Sequence, residues 1–211
     1  MLKAEFHLHT HYSLDCRTSA KTVVASCLKR GINCLFVTDH NEIDGAFEIQ
    51  KIAPFKVIPS EEITTSEGEI IGYFLKEKIP AFLSPDETIK RIRQQGGVVS
   101  VPHPFDRLRH SRMNFPTLQR IIDQVDMLEV FNSRNVFPSD DAKALAYAKE
   151  KNKLMIAASD AHSRWEPGTS YVELPKFSDA QGLLHSLRTA TLHKRRSFLG
   201  VHAITKGNKA V

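Results

Sequence analysis

Eight side chains able to bind a metal fall in five short segments of this 211-residue chain, and each follows or ends a β-branched, apolar run. "HLHTHYSLD" carries His7, His9 and Asp15, "TDH" ends at His40, "IPSEEITT" holds Glu62, "VPHP" surrounds His103, and "SDAH" carries Asp160 and His162. His7 and His9 are two apart on an extended segment, so both imidazoles leave the same face and can chelate one ion. Asp160 and His162 repeat that spacing after an apolar strand, where a bare carboxylate would be costly without a cationic partner. Imidazole and carboxylate without thiolate favour zinc, manganese or iron. So many ligands exceed one tetrahedral site, which points to a cluster of two or three ions and to a metal-dependent hydrolase.

Neighbouring residues are read against these. Asp15 suits either a metal carboxylate or a helix-entry turn, with the ligand reading preferred. Asp39 precedes His40 and points the other way on a strand, a supporting position. Glu61 and Glu62 cannot both face the site, and alternation alone does not choose between them. His11 falls where the chain turns into a loop, as a substrate-side or solvated residue. His110, His185, His193 and His202 have no comparable context and read as surface or packing residues.

The elements that must position these groups alternate from end to end. "KAEFHLHT" reads as a strand, 19–30 as a helix, "CLFVTDH" as a strand and 45–52 as a short helix. "FKVIPSEEI" and "EIIGYFL" read as a hairpin around Glu67-Gly68. A helix over 84–95 opens with Ser84 as cap, Pro85 and two acids, and ends at Gly96-Gly97. "VVSVPH", "MLEVFN", "LMIAASD" and "SYVEL" are further strands, with helices at 117–124, 139–151 and 178–190. The polar segments 105–116 and 163–169, the second holding the only tryptophan (Trp165), read as loops. Strands joined by helical crossovers imply a mainly parallel sheet, whose chemistry collects at the carboxyl ends of its strands.

Bulk composition fits one soluble domain: 41% hydrophobic, 25% charged, with no apolar run of membrane-spanning length and no signal-peptide layout. The expected location is cytoplasmic, with no membrane partner. Three cysteines, an odd count, argue against a disulfide framework. The net charge of +5 is uneven. Residues 191–211 form a basic tail beyond a body of 1–190, and "DRLRHSR" follows His103. Arg107, Arg109 and Arg134, with Asn132 at a strand end, are candidates to hold a phosphate. Oligomeric state has no signature in the sequence.

The segments "HLHTHYSLD", "FVTDHNEIDGA", "VIPSEEITT", "GGVVSVPHP", "MLEVFNSR" and "ASDAHS" resemble the polymerase and histidinol phosphatase (PHP) superfamily, in order and spacing from about residue 3 to 175. The resemblance implies a distorted seven-stranded α/β barrel, (β/α)7, with a trinuclear metal site at the carboxyl ends of the strands. It implies His7 and His9 as chelators of one ion, and Asp15, His40, His103, Asp160 and His162 as further ligands. It also favours Glu62 over Glu61 as the bridging carboxylate. Many members carry histidine where this chain has Glu69, so Glu69 stands either as an oxygen ligand in its place or as a supporting group.

The activity these readings imply is phosphate-ester hydrolysis by metal-bound hydroxide, on a small phosphorylated substrate, with Asp15 or His162 moving a proton to the leaving group. The alternatives are a nuclease or exonuclease served by the basic tail, and a PHP module that binds metal without catalysis.

Overall fold

The computed structural model describes residues 1–198, 200 and 201. Strand β1 (Leu2–Glu5) leads through α1 (Ala20–Lys29) to β2 (Cys34–Val37), and α2 (Asp44–Ile52) leads to β3 (Lys56–Thr65). A turn reverses the chain into β4 (Gly68–Tyr73), and α3 (Pro85–Gln94) returns it to β5 (Val98–Val101). Then come α4 (Phe115–Ile121), β6 (Met127–Asn132), α5 (Pro138–Glu150), β7 (Leu154–Ala158), β8 (Tyr171–Leu174), α6 (Ala180–Leu187) and β9 (Thr191–His193).

Local chemistry accounts for these boundaries. Ser19 caps α1 by accepting from the Thr22 N–H, and Ser84 caps α3 from Glu87, each meeting an orphan donor of a first turn. Asn114 does the same for α4 two residues earlier than the sequence pattern suggested. Helix α1 buries Ala20, Val23, Val24 and Cys27, the spacing of one helical face.

All nine strands form one sheet in the order β7-β6-β5-β4-β3-β2-β1-β8-β9. Among the described residues the count is therefore nine, not the seven implied by resemblance. Strands β1, β2 and β3 are mutually parallel, as are β5, β6 and β7. The sheet is less uniformly parallel than the alternation of elements suggested, because β4 runs antiparallel to both β3 and β5, and β8 and β9 add two more antiparallel pairings beyond β1. Past its end β1 also meets the chain leaving β7: Leu8 and Ala161 form a parallel bridge, with His9 N–H donating to Ala161 O at 2.9 Å. The sheet is nearly closed and barrel-like. One buried cluster draws Ala4, Phe36, Ile58, Tyr73, Val98, Met127 and Ile156 from seven successive strands, and Phe6, Phe177, Leu183 and Leu187 pack with them.

The carboxyl ends of β1, β2, β3, β5, β6 and β7 consequently share one end of the sheet, and reversed β4 begins there. Residues beyond 190 do not leave the body at once. β9 pairs with β8, and Arg196 donates to the carbonyls of Asn132 and Asn135. The rest of the basic segment, with His202, Lys206 and Lys209, lies outside the described residues. Among the described residues no helix is long and apolar enough to cross a membrane.

Candidate metal centre

Nine side chains meet at that end of the sheet. His7 and His9 follow β1, with Nε2 atoms 3.1 Å apart, so both imidazoles reach one point. Glu62, within β3, is wholly buried between them and the other strands. Its Oε2 lies 3.2 Å from His7 Nε2, 3.3 Å from His9 Nε2 and 3.2 Å from His40 Nδ1, and its Oε1 lies 3.1 Å from His103 Nε2. Across the site, Asp160 Oδ1 is 3.5 Å from His7 Nε2 and 3.4 Å from His9 Nε2. Asp15 Oδ1 lies 3.4 Å from His162 Nε2 and 3.8 Å from His40 Nε2. Glu69, second residue of β4, stands 3.7 Å from His103 and 3.8 Å from His40. Glu61 points away and accepts the Ile79 N–H, so the alternation left open in the sequence is resolved for Glu62.

The backbone at these positions is unusual. His103 and Asp160 have φ of 30° and 53°, and Asn41 after His40 has 52°. Such conformations in non-glycine residues persist only where surrounding structure enforces them, and they collect at functional sites. The openness of the site is uneven. His7, His9, Glu62 and His103 side chains are sealed, while that of His40 is 24% exposed, which places the approach from solvent on the His40 and Asp15 side.

Burying this many ionisable groups perturbs several of them. Burial, then repulsion from His162 and His40, holds the His9 imidazolium well below its ordinary range, so His9 is neutral. Burial opposes ionisation of Glu62 and Asp160, yet their cationic neighbours win: His7 and His40 hold Glu62 well below the carboxylate range, and Arg109 and His7 do so for Asp160. Glu69 goes the other way, raised by burial and then by the charge of Glu62. Burial likewise works against the His7 imidazolium, but Glu62, Asp160 and Glu129 together push its pKa well up. Among the described residues, Asp160 Oδ1 and Glu69 Oε2 are buried without a hydrogen-bond partner. Buried carboxylates of this kind are paired or coordinate metals.

The ligand atoms fall into four groups of three, each within 4.8 Å of one another: His9, His40 and His162; His7, Glu62 and His103; His7, His9 and Asp160; His40, Glu62 and Glu69. The donor set therefore fits more than one divalent cation, with His7, His9, His40 and Glu62 each shared between groups.

Residues that the sequence did not single out hold the ligands in place. Ser13 Oγ is 3.0 Å from His9 Nδ1, accepts the His40 N–H at 3.0 Å, and donates to Asp39 Oδ1 at 2.7 Å. Asp39, placed as a support from its position, also accepts from the Thr10 N–H and hydroxyl. Glu129 Oε2 faces His7 Nδ1 at 3.5 Å and accepts the His103 N–H at 2.7 Å. Glu166 Oε2 accepts the His162 N–H and the Ser163 hydroxyl. Glu129 had one readable signal, a lone acid inside the apolar run "MLEVF". Ser13 and Glu166 had none.

The four expected phosphate-holding residues separate. Arg109 reaches the centre, its Nη2 2.5 Å from Asp160 Oδ2, and Asn132 Nδ2 donates to the same oxygen at 3.1 Å. Arg107 is instead held by Asp140 and Ser139 in the first turn of α5, its guanidinium over the Phe137 ring. A carboxylate at a helix start, with its own N–H contact from Arg107, outcompetes the loop for this side chain. Arg134 is buried behind the site against Glu166, with Nη2 donating to Val201 O. His11 is half-exposed beside Glu48, on the solvent side.

With this geometry in view, comparison with known proteins is informative. The PHP domain family model matches residues 5–79 and the PHP-associated model residues 138–192. The chain belongs to the PHP family. An uncharacterized protein of Methanocaldococcus jannaschii is 37% identical over 182 residues, covering 84% of this chain and 71% of its own. Among solved structures, a two-domain protein from Bacteroides vulgatus containing a predicted PHP-like metal-dependent phosphoesterase superposes with a TM-score of 0.75 at 19% identity. That match covers 92% of this PHP chain but 65% of the Bacteroides protein. PsfC from Pseudomonas syringae superposes at 0.73 with 16% identity, over 99% of this chain and 97% of its own. At these identities the structural likeness speaks for the PHP fold. Six residues of the centre lie within the first family match, Asp160 and His162 lie within the second, and His103 falls between the two.

Proposed function

We propose that the chain is a metal-dependent phosphoesterase that cleaves a small phosphate ester at a centre of two or three ions. The observation that carries this reading is the position of Glu62, one buried carboxylate within 3.3 Å of four imidazoles from three different strand ends. His7, His9 and Asp160 would hold one ion, and His7, Glu62 and His103 a second. His9, His40 and His162, with Asp15 at their rim, would hold a third, Glu69 supplying an oxygen donor in place of the family's histidine. That substitution favours manganese or iron over zinc. Divalent ions bound here would activate a water near neutral pH and neutralise charge developing on the phosphoryl group.

The chain's own groups do the rest. Arg109 presents a guanidinium beside Asp160 and can release it to a phosphoryl oxygen, a charge-assisted contact. Asn132 then keeps Asp160 oriented. Burial raises the Asp15 pKa, but His162, His40 and His9 outweigh it and hold Asp15 far below the carboxylate range, so it carries no proton to give. In a centre of two ions, where His162 Nε2 is left to Asp15 at 3.4 Å instead of a metal, His162 would deliver the proton to the leaving oxygen, its backbone held by Glu166.

Elemental analysis of the purified chain, paired with hydrolysis of an aryl phosphate with and without added manganese, tests the reading. More than one ion per chain and chelator-sensitive release of the aryl alcohol are expected. A protein that binds no metal after manganese is supplied, or turnover indifferent to chelator, would overturn it.

A further inference from the structure

Behind the metal centre lies a cavity of about 520 Å³ that the reaction does not use. Its walls are the loop after His162 and the segment after β9. The volume falls in the range of small-molecule sites, roughly 300–1,000 Å³. Two rings stand on it, Trp165 at 49% and Phe198 at 58% exposure, both far more open than aromatic side chains placed for packing alone.

Guanidinium groups supply the charge. Arg30, Arg195 and Arg196 line the cavity against one carboxylate, Glu166. Glu166 is already engaged, with Oε2 on the His162 and Ser163 donors and Oε1 3.4 Å from Arg134 Nε. Arg196 is likewise committed to Asp141 and to the Asn132 and Asn135 carbonyls. Arg30 uses one nitrogen to pin the loop, donating from Nη2 to Trp165 O at 2.6 Å. Arg195 is tied down only by its backbone, whose N–H and carbonyl both meet Ser170 Oγ, and its side chain pairs with no carboxylate among the described residues. Ser197, also on the wall, has a buried hydroxyl without a hydrogen-bond partner among those residues.

Exposed rings beside an uncommitted guanidinium and an unmet hydroxyl match a ligand that is both flat and anionic. Rings stack on any π face, and guanidinium binds phosphate bidentately. We propose that this cavity is a second binding site, distinct from the metal centre, for an aromatic ring bearing a phosphate, of the size of a nucleoside monophosphate. Trp165 and Phe198 would take the ring, Arg195 and Arg30 the phosphate, and Ser197 one further polar atom.

Trp165 is the chain's only tryptophan, so all its tryptophan fluorescence arises from a wall of this cavity. The full chain would be titrated with adenosine monophosphate, adenosine and inorganic phosphate, both chelator-treated and manganese-loaded. Saturable quenching by the nucleotide is expected in both states, with adenosine and phosphate each at least about tenfold weaker. Arg195→Gln should weaken nucleotide binding by about tenfold, the loss of one charge-assisted contact. Phe198→Ala, a separate exposed position, should also weaken it, and both variants should hydrolyse aryl phosphate at the parent rate. Absence of saturable quenching, equal quenching by adenosine, quenching lost on chelation, or parent-like binding in both variants would each overturn the site. Metal content and hydrolysis are read separately, so failure here leaves the phosphoesterase reading intact.

Discussion

His7 illustrates what a candidate ligand requires beyond its own donor atom. Its Nε2 faces Glu62 and Asp160, and its Nδ1 faces Glu129, the carboxylate–imidazole arrangement that orients a metal-binding histidine and raises its basicity. Glu129 also takes the His103 N–H and the Asn132 side-chain amide, so one acid steadies three members of the centre. Glu129→Gln keeps the shape and removes the charge. Metal affinity is expected to fall by about 10- to 100-fold, measured by competition with a chromophoric chelator. An unchanged affinity would show that Glu129 serves packing only. The same logic explains why Arg109 and Arg107, two apart in one loop, part company: each guanidinium goes to the nearest buried carboxylate, Asp160 for one and Asp140 for the other.

Between residue and fold, the loop after β1 and the start of α2 act together. Asp39 grips Thr10 and Ser13, and Ser13 in turn contacts His9 and the backbone of His40, so two strand ends are locked in register by one carboxylate. Gly45, at the start of α2, is what lets the helix approach this knot. A Cβ there would collide with the Asp39 carboxylate and come within 2.6 Å of Thr10 Oγ1. Gly45→Ala should therefore lower stability by about 1–3 kcal/mol and reduce metal content with it. Thermal melting and elemental analysis on the same sample check this, and parent-like values in both would refute the role given to the knot. Reversal of β4 matters at this scale too. An antiparallel strand between two parallel sets brings its first residues, with Glu69, to the end where its neighbours finish.

Across the whole molecule, buried acids give stability opposing dependences on pH. Glu5 is fully buried, and that burial raises its pKa from 4.5 to about 7 although the N–H groups of Ser159, Gly168 and His7 donate to its carboxylate and offset part of the rise. A carboxyl whose folded pKa is raised stabilises fully below its ordinary pKa, and the benefit is lost as pH rises through 7. Glu62 and Asp160, held below their ordinary values, do the reverse and lose their contribution as pH falls. Glu5→Gln removes the first effect alone. Urea midpoints measured from pH 4.5 to 8 should decline less with pH in the variant than in the parent, by an amount of roughly 3 kcal/mol or less. Parallel curves would contradict the assignment. The nearly closed sheet makes this coupling unavoidable, since Glu5 joins β1 to the chain after β7 at the seam.

Much of the centre was legible in the chain itself, because ligand chemistry and strand periodicity are local properties. His7-x-His9 and Asp160-x-His162 declare themselves by spacing, and apolar runs ahead of His40, His103 and Asp160 place those residues at strand ends. The start of α3 after Ser84 follows from a cap that acts within three residues, whereas for α1 the pattern left Thr18 and Ser19 open and the structure caps it with Ser19. The sequence by itself thus determined the candidate ligand types, the strand–helix alternation and the end of the parallel strands where those side chains gather. Tertiary structure alone decided what depends on meetings across the sheet. The choice of Glu62 over Glu61 hangs on which face of β3 meets His7 and His103, and resemblance, not alternation, anticipated it. Three-residue β9 exists because β8 offers it an edge, not because "TLH" has a pattern of its own. Ser13 and Glu129 support the candidate ligands, and Arg107 and Arg134 leave the phosphate-holding set, through contacts 26 to 122 residues apart in sequence that no local rule encodes.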